Sequence, residues 1–385
     1  MPTVTITGRG EQRILSGHPW VYRSDVTTAD AAGGEIVAVV GTRGRPVGHA
    51  LYSDRSEIAL RILTRGAEAP SVGIVRERLA RAIQFRDSLR IDASAYRLVH
   101  GEGDLLPSLV VDRYGDYLVL QALSQGIDRL LPEIVRALVD LVKAAGILAR
   151  NDPRVRLLEG LEQRVEVLFG EVPEVVEVHE GRVQYAVDLY RSQKTGLFLD
   201  QRENRLAAAQ YAHGRLLDAF SYNGGFALAL APQCSEVLAV DISEEAVERI
   251  RTNAARNGIA LEARAMNVFD ELRELDRRGE RFDTIVLDPP AFAKNKASVK
   301  KALSGYKEIN LRALKLLPPG GVLVTCSCSY NVSEAAFADV IAAAAVDAHA
   351  EVAVVEKRMQ GRDHPVLMTV PETYYLKCFI LRKLA

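Results

Sequence analysis

Residues 215–242, RLLDAFSYNGGFALALAPQCSEVLAVDI, alternate strand, turn, helix and strand. The apolar run 216–220 predicts a strand, the adjacent Gly224 and Gly225 a tight turn, and 226–230 the start of a helix. Residues 236–242 predict a second strand and 244–257 a second helix. Strands over 261–266, 282–288 and 321–328 follow, with helices between them. Near-continuous apolar strands alternating with helices imply an α/β fold, a parallel Rossmann-like sheet covered on both faces. The tail adds two strand-like runs, 351–356 and 374–382, suited to antiparallel pairing at one edge.

Upstream the pattern differs. Residues 35–40, 47–51 and 58–63 are strand-like, with glycine punctuation at Gly33-Gly34 and within Gly41-Thr42-Arg43-Gly44. A small β-barrel over residues 1–72 is expected, ending in the linker 67–71. Residues 75–88 predict an arginine-bearing amphipathic helix. Residues 106–113 and 117–123 predict a hairpin around Tyr114-Gly115-Asp116, and 127–145 a second helix. Residues 73–185 therefore read as a mixed α+β domain and 186–385 as the Rossmann-like one.

A chain of 385 residues exceeds one ordinary core. Lys plus Arg number 49 against 50 Asp plus Glu, a net charge of −1, so nothing pushes the whole molecule toward nucleic acid. A local basic patch would suffice for that. No N-terminal signal and no bilayer-length apolar run is visible. The longest apolar stretch, 341–346, is short and alanine-rich and predicts a buried helix. Cys234, Cys326, Cys328 and Cys378 form no CxxC pattern and the histidines are scattered, which argues against a disulfide framework or a zinc site. A reducing, cytoplasmic location is the expectation.

Ligands of open α/β sheets bind at the carboxyl ends of the strands. There the chain offers Asp218 with the turn Ser221-Tyr222-Asn223-Gly224, then Asp241, then Asn267. The turn lacks the G-x-G-x-x-G spacing that seats a pyrophosphate, so a dinucleotide is disfavoured. Asp241 is placed to accept ribose hydroxyls and Asn267 to meet an adenine amino group. Carboxylates without a phosphate cradle suit S-adenosylmethionine. Each residue alone also suits a helix cap or turn; their order on successive strand ends favours the cofactor.

The fourth strand ends in Asp288-Pro289-Pro290-Ala291-Phe292, a rigid turn able to hold a carboxylate against a flat base. The fifth ends in Thr325-Cys326-Ser327-Cys328-Ser329. Carbon-5 of cytosine is a poor nucleophile, and adding a thiolate to carbon-6 makes it an enamine able to attack a sulfonium methyl. That chemistry needs an activated thiol and an acid near the N3/O2 side of the base, a role open to Asp288. Cysteines two apart on a strand share a face, so spacing leaves Cys326 and Cys328 equivalent. Either could instead be a packed core residue.

Several ordered stretches resemble the bacterial 23S ribosomal RNA cytosine-C5 methyltransferases that carry an N-terminal PUA domain. They are His18-Pro19-Trp20-Val21-Tyr22, His100-Gly101-Glu102, Val111 through Asp116, Lys194-Thr195-Gly196 and Asp200-Gln201-Arg202. The Asp218 turn, Asp288-Pro289-Pro290, residues 305–310, Ser327-Cys328-Ser329 and His364-Pro365-Val366 complete the set, which spans the chain.

The resemblance implies a class I methyltransferase domain behind a PUA-type barrel and a central domain. It makes Cys328 the nucleophile. Gln193, Lys194 and Thr195, with Gly196, precede the first strand of the sheet and could close over the cofactor, or form a plain loop. Pro290 stands where related enzymes carry a product-release cysteine, leaving the general base unassigned and Cys326 as a candidate helper. The PUA likeness implies RNA contact, for which Arg43, Arg45 and Arg55 are candidates. Lys294, Lys296, Lys300 and Lys301 follow the Asp-Pro-Pro turn and could neutralise phosphates near a flipped base. The expected partner is 23S ribosomal RNA or a large-subunit assembly intermediate, with no metal, and a homodimer is the assembly to test. Two rival readings stay open: a base N-methyltransferase using Asp-Pro-Pro alone, and a non-catalytic ribosome-assembly factor.

Overall fold

The structure is a computed structural model and describes residues 1–293 and 295–385; Lys294 lies outside the described residues. The chain forms two compact units. The first comprises Met1–His179, Val187–Leu199 and Arg362–Thr373; the second comprises Glu180–Ala186, Asp200–Gly361 and Tyr374–Ala385.

In the first unit a six-stranded sheet runs in the order Trp20–Tyr22, Ile58–Arg65, Pro46–Tyr52, Ile36–Val40, Thr3–Ile6, Val26–Asp30. It closes on Val4, Ile6, Val21, Val37, Val39 and Leu60. The helix Gly8–Leu15, capped by the Thr7 hydroxyl accepting from the Gly10 N–H, adds Ile14 to this core. That helix is absent from the expectation of strands and turns. A second, five-stranded sheet runs Arg164–Gly170, Gly146–Asn151, Tyr117–Ala122, Leu109–Tyr114, Ala95–His100. The helices Ile74–Ser88 and Gln125–Val142 bury their apolar stripes against it. The expected hairpin is its Leu109–Tyr114 and Tyr117–Ala122 pair.

The second unit is built on a seven-stranded sheet ordered Glu262–Ala265, Glu236–Asp241, Arg215–Ala219, Thr284–Leu287, Val322–Ser327, Lys377–Lys383, Val352–Arg358. The first five strands are parallel. The last two pair antiparallel at the edge, as the tail pattern predicts. Alternation sorts the side chains: Leu217, Ile285, Leu287 and Leu323 enter one core, and Leu216, Val286, Val322, Val324 and Cys326 the other. The helix Glu334–Asp347 buries Phe337, Ile341 and Ala344 but leaves Val346 73 % exposed, so only one side of the 341–346 stretch is covered. The strand order reverses between Arg215–Ala219 and Thr284–Leu287, which opens a crevice at their carboxyl ends.

Candidate active site

The turn after Arg215–Ala219 takes a left-handed backbone at residues other than its glycines. Phe220, Tyr222 and Gly224 all take positive φ, at 65°, 53° and 80°. Two non-glycine residues in the left-handed region are costly and mark a segment shaped by its surroundings. Asp218 fastens the turn from beneath: its Oδ2 accepts from the Ser221 hydroxyl at 2.6 Å and the Ala227 N–H at 2.9 Å. Its Oδ1 is buried without a hydrogen-bond partner. Burial pushes the Asp218 pKa up to about 6 against those two donors.

Asp241 at the end of the next strand accepts from the Tyr222 N–H and the Ser243 N–H, both at 3.0 Å, one on each oxygen. Each oxygen keeps a second acceptor position. Arg249 stacks over Tyr222, 5.3 Å from the ring centre, and donates to Asn223 at 3.3 Å, so the buried Asn223 braces the turn. Asn267 caps the helix Val268–Arg277, its Oδ1 accepting from the Phe269 N–H at 2.9 Å. Its Oδ1 keeps a second acceptor position and its NH2 two donors, so the exposed amide can meet either the amino group or a ring nitrogen of an adenine. Ile242 and Met266 are 71 % and 43 % exposed beside Asp241 and Asn267. The Met266 N–H donates to the Asp241 carbonyl at 2.8 Å, so these apolar side chains flank the same strand ends and suit a flat ring.

The set fits a phosphate-free nucleoside cofactor. It offers an unpartnered buried carboxylate oxygen, a second carboxylate with spare acceptor sites and two exposed apolar side chains.

Asp288 closes the fourth strand across the crevice, its N–H 3.4 Å from the Ala219 carbonyl. Gln201 Nε2 donates to its Oδ1 at 2.8 Å, and Asn204 fixes Gln201 in turn at 2.7 Å. Burial, with Asp200 nearby, pushes the Asp288 pKa up to about 7, beyond what Gln201 offsets. The carboxyl is thus divided between acid and anion near neutrality. Arg205, paired at 2.7 Å with buried Glu180, contributes positive charge felt by both Asp218 and Asp288. Reasoning from strand ends passes over Gln201, Asn204 and Arg205. The Asp200-Gln201-Arg202 stretch of the resemblance bears on Gln201, and nothing in the sequence pattern marks Asn204 or Arg205.

The two cysteines are separated by environment. The fifth strand ends at Ser327, so Cys328 leaves the sheet and the same-face argument does not apply to it. Cys326 is fully buried opposite Cys378 in the ladder, and burial with that facing thiol drives its pKa far up, which leaves it an inert core residue. Cys328 is half-buried, its Sγ 3.7 Å from the Pro289 carbonyl oxygen and so directly against the Asp-Pro-Pro turn. Its two serines lock it in place. The Ser327 hydroxyl donates to the Tyr306 phenol at 3.0 Å; the Ser329 hydroxyl lies 2.9 Å from the same phenol and accepts from the Ala293 N–H at 3.1 Å.

Arg43, Arg45 and Arg55 are exposed in the first unit, Arg45 loosely paired with Glu11 at 3.8 Å and Arg55 with Asp54 at 3.9 Å. Lys296, Lys300 and Lys301 are exposed just after the Asp-Pro-Pro turn; the expectation for Lys294 falls outside the described residues. Lys194, Thr195 and Gly196 belong to the first unit. There Thr195 is buried and donates to Asp112, Gly196 packs on Tyr114, and exposed Lys194 sits 4.3 Å over the Phe198 ring. Among the described residues no cluster of His, Cys, Asp and Glu could hold a metal ion, and no helix is long and apolar enough to cross a membrane.

The sequence matches the S-adenosylmethionine-dependent methyltransferase family over residues 96–369 and a PUA-like domain over residues 4–65. It is 41 % identical over 392 aligned positions to the ribosomal RNA large subunit methyltransferase I of Tolumonas auensis, covering 99 % of both chains. It is 39 % identical to the protein of that name from Shigella boydii, covering 97 % of both. The fold is similar to that of a proposed SAM-dependent methyltransferase from Streptococcus mutans, with a TM-score of 0.84, 20 % identity and coverage of 99 % of this chain and 100 % of that one. A methyltransferase-like structure complexed with SAH gives a TM-score of 0.85 at 21 % identity, with the same coverage. The chain belongs to the S-adenosylmethionine-dependent methyltransferase family, in the group of the ribosomal RNA large subunit methyltransferase I proteins.

Proposed function

We propose that this protein methylates carbon-5 of a cytosine in large-subunit ribosomal RNA, with Cys328 as the attacking nucleophile. The observation that carries the reading is the half-buried Cys328 thiol held against the Asp288-Pro289-Pro290 turn, at the carboxyl edge that also bears Asp218 and Asp241. The names of the relatives supply the RNA class.

S-adenosylmethionine supplies the sulfonium methyl. Asp241 and the Asp218 turn hold its nucleoside, and Ile242 and Met266 cover the adenine. Cys328 adds to carbon-6 of the base. Asp288, protonated in part near neutral pH, donates toward the N3/O2 side and stabilises the charge that builds there. Ser327, Ser329 and Tyr306 keep the sulfur from retreating into the core. Arg43, Arg45 and Arg55 of the PUA-like segment, with Lys296 and Lys300 beyond the turn, contact phosphates and position the RNA.

Incubating the protein with S-adenosylmethionine carrying a labelled methyl and with ribosomal RNA, then mapping the label, tests this reading. A label on carbon-5 of cytosine supports it. A label on a ring nitrogen or exocyclic amine, or none on any ribosomal substrate, refutes it.

A further inference from the structure

Lys377 opens the strand Lys377–Lys383 and lies opposite Ser327 in the antiparallel ladder. It is only 2 % exposed. Its Nζ donates to the Ser329 carbonyl at 2.7 Å and the Tyr375 carbonyl at 2.9 Å. Both acceptors are neutral, and an ammonium has a third proton to place. Glu334, whose charge reaches Lys377, already accepts from Lys357 at 3.2 Å and from the Tyr374 hydroxyl at 2.7 Å. A cation buried among carbonyls is costly unless an anion faces it.

The backbone brackets one group able to become that anion. Lys377 pairs with the residue before Cys328 and hydrogen-bonds the carbonyl of the residue after it. A charged Cys328 favours the ammonium, against burial that lowers the Lys377 pKa to about 8. Of the other titratable groups around the pair, Asp288 lies in the turn that the Cys328 sulfur touches and is bound by Gln201, and the rest are poor counter-charges. Cys326 and Cys378 are sealed in the ladder. The Tyr306 phenol is bound by Ser327 and Ser329, and its pKa is raised, chiefly by burial.

We propose that the Lys377 ammonium is a positioning cation that holds the Cys328 sulfur as a thiolate, before it attacks the base and again as it leaves. This rests on the reading of Cys328 as nucleophile. The thiol proton goes to water and the ammonium keeps its own. The sulfur lone pair forms the bond to carbon-6, and the ring pair displaced onto carbon-5 takes the methyl from the sulfonium. Loss of the carbon-5 proton to solvent base rebuilds the double bond while the sulfur–carbon pair returns to sulfur, within reach of the Lys377 charge. A nearby ammonium lowers a thiol's pKa, so the same charge serves attack and release.

The test is iodoacetamide alkylation of Cys328 from about pH 5 to about pH 10, resolved peptide by peptide by mass spectrometry. The samples are the full-length wild type, Lys377→Met and Lys377→Arg, each checked for folding by thermal melting. Wild type should reach half-maximal rate at least about one unit below an ordinary thiol's 8.5. Lys377→Met should move that midpoint up by about one unit or more, a roughly tenfold loss of thiolate below both midpoints. Lys377→Arg should keep the midpoint low. An unshifted midpoint in folded Lys377→Met overturns the proposal. So does a wild-type midpoint at or above about 8.5, which decides the matter even if the Met variant does not fold. Trapping on 5-fluorocytosine RNA separates this from the nucleophile reading. A low midpoint without an adduct removes the nucleophile and leaves the ion pair, whereas an adduct with an ordinary midpoint removes only the Lys377 role.

Discussion

Replacing Asp241 with alanine should weaken S-adenosylmethionine binding by about 1–3 kcal/mol, roughly 5- to 150-fold in Kd. The carboxylate already accepts one backbone N–H on each oxygen, from Tyr222 and Ser243. What it has left for a ribose is one further acceptor site per oxygen, hence two charge-assisted bonds. Each is worth about 1.5–3 kcal/mol in isolation, and the two share one carboxylate, so the sum is not additive. The substitution also frees the Tyr222 N–H, and Tyr222 sits in a strained left-handed conformation that this bond helps to hold. Some of the loss will therefore be turn disorder rather than a missing ribose contact. Asp241→Asn sets an NH2 against one of the two backbone donors and keeps an acceptor for the other. It keeps one acceptor oxygen and removes the charge, so it should fall between wild type and alanine. Calorimetric titration with S-adenosylhomocysteine reads both variants directly. An unchanged Kd in a folded Asp241→Ala protein would refute the placement of the nucleoside at this strand end.

Two further predictions concern charge. Asp218 and Asp288 have pKa values raised by burial to about 6 and about 7, so between about pH 4 and 7 the folded state binds more protons than the unfolded one. Their contribution to stability is complete below about pH 4 and is lost as pH rises through 6 and 7. Asp288→Asn should therefore be more stable than wild type at about pH 8, with the advantage vanishing near pH 4, when both are melted in parallel. The same stability difference at both values would show that Asp288 is not a buried acid. Separately, replacing Arg43, Arg45 and Arg55 together by alanine should lower affinity for ribosomal RNA and flatten the log–log salt dependence by about two to three units. An unchanged slope would take these arginines out of the RNA contact.

The sheet was legible because its parallel strands are covered on both faces. Thr284–Leu287 and Val322–Ser327 therefore contain hardly a solvent-facing position and read as apolar runs. The helix Gly8–Leu15 was not, because GRGEQRIL carries two glycines and buries only Gly10, Glu11 and Ile14; its cap and its neighbours make it helical. The helix Arg202–Ala209 hides more. Its buried Arg202, Asn204 and Arg205 resemble a solvated face in sequence, and their burial is compensated by partners such as Glu180 that no local pattern reveals. Strand ends gave Asp218, Asp241 and Asp288 their places at the crevice. Spacing leaves Cys326 and Cys328 equivalent and only the Ser327-Cys328-Ser329 resemblance picks Cys328; the physical difference between them lies in where the last parallel strand stops, and the left-handed Phe220 and Tyr222 lie in the backbone. Neither is written in residue type.

The proposed chemistry passes through a covalent bond between Cys328 and the base. RNA bearing 5-fluorocytosine at the target cannot shed its carbon-5 substituent after methyl transfer, so a thiolate mechanism leaves a protein–RNA adduct that survives denaturation. Wild type and Cys326→Ala, which alters only a sealed core position, should both form that adduct, and Cys328→Ala should not while still binding S-adenosylhomocysteine. Methyl transfer by Cys328→Ala, or an adduct that persists without that sulfur, would show that Cys328 is not the nucleophile.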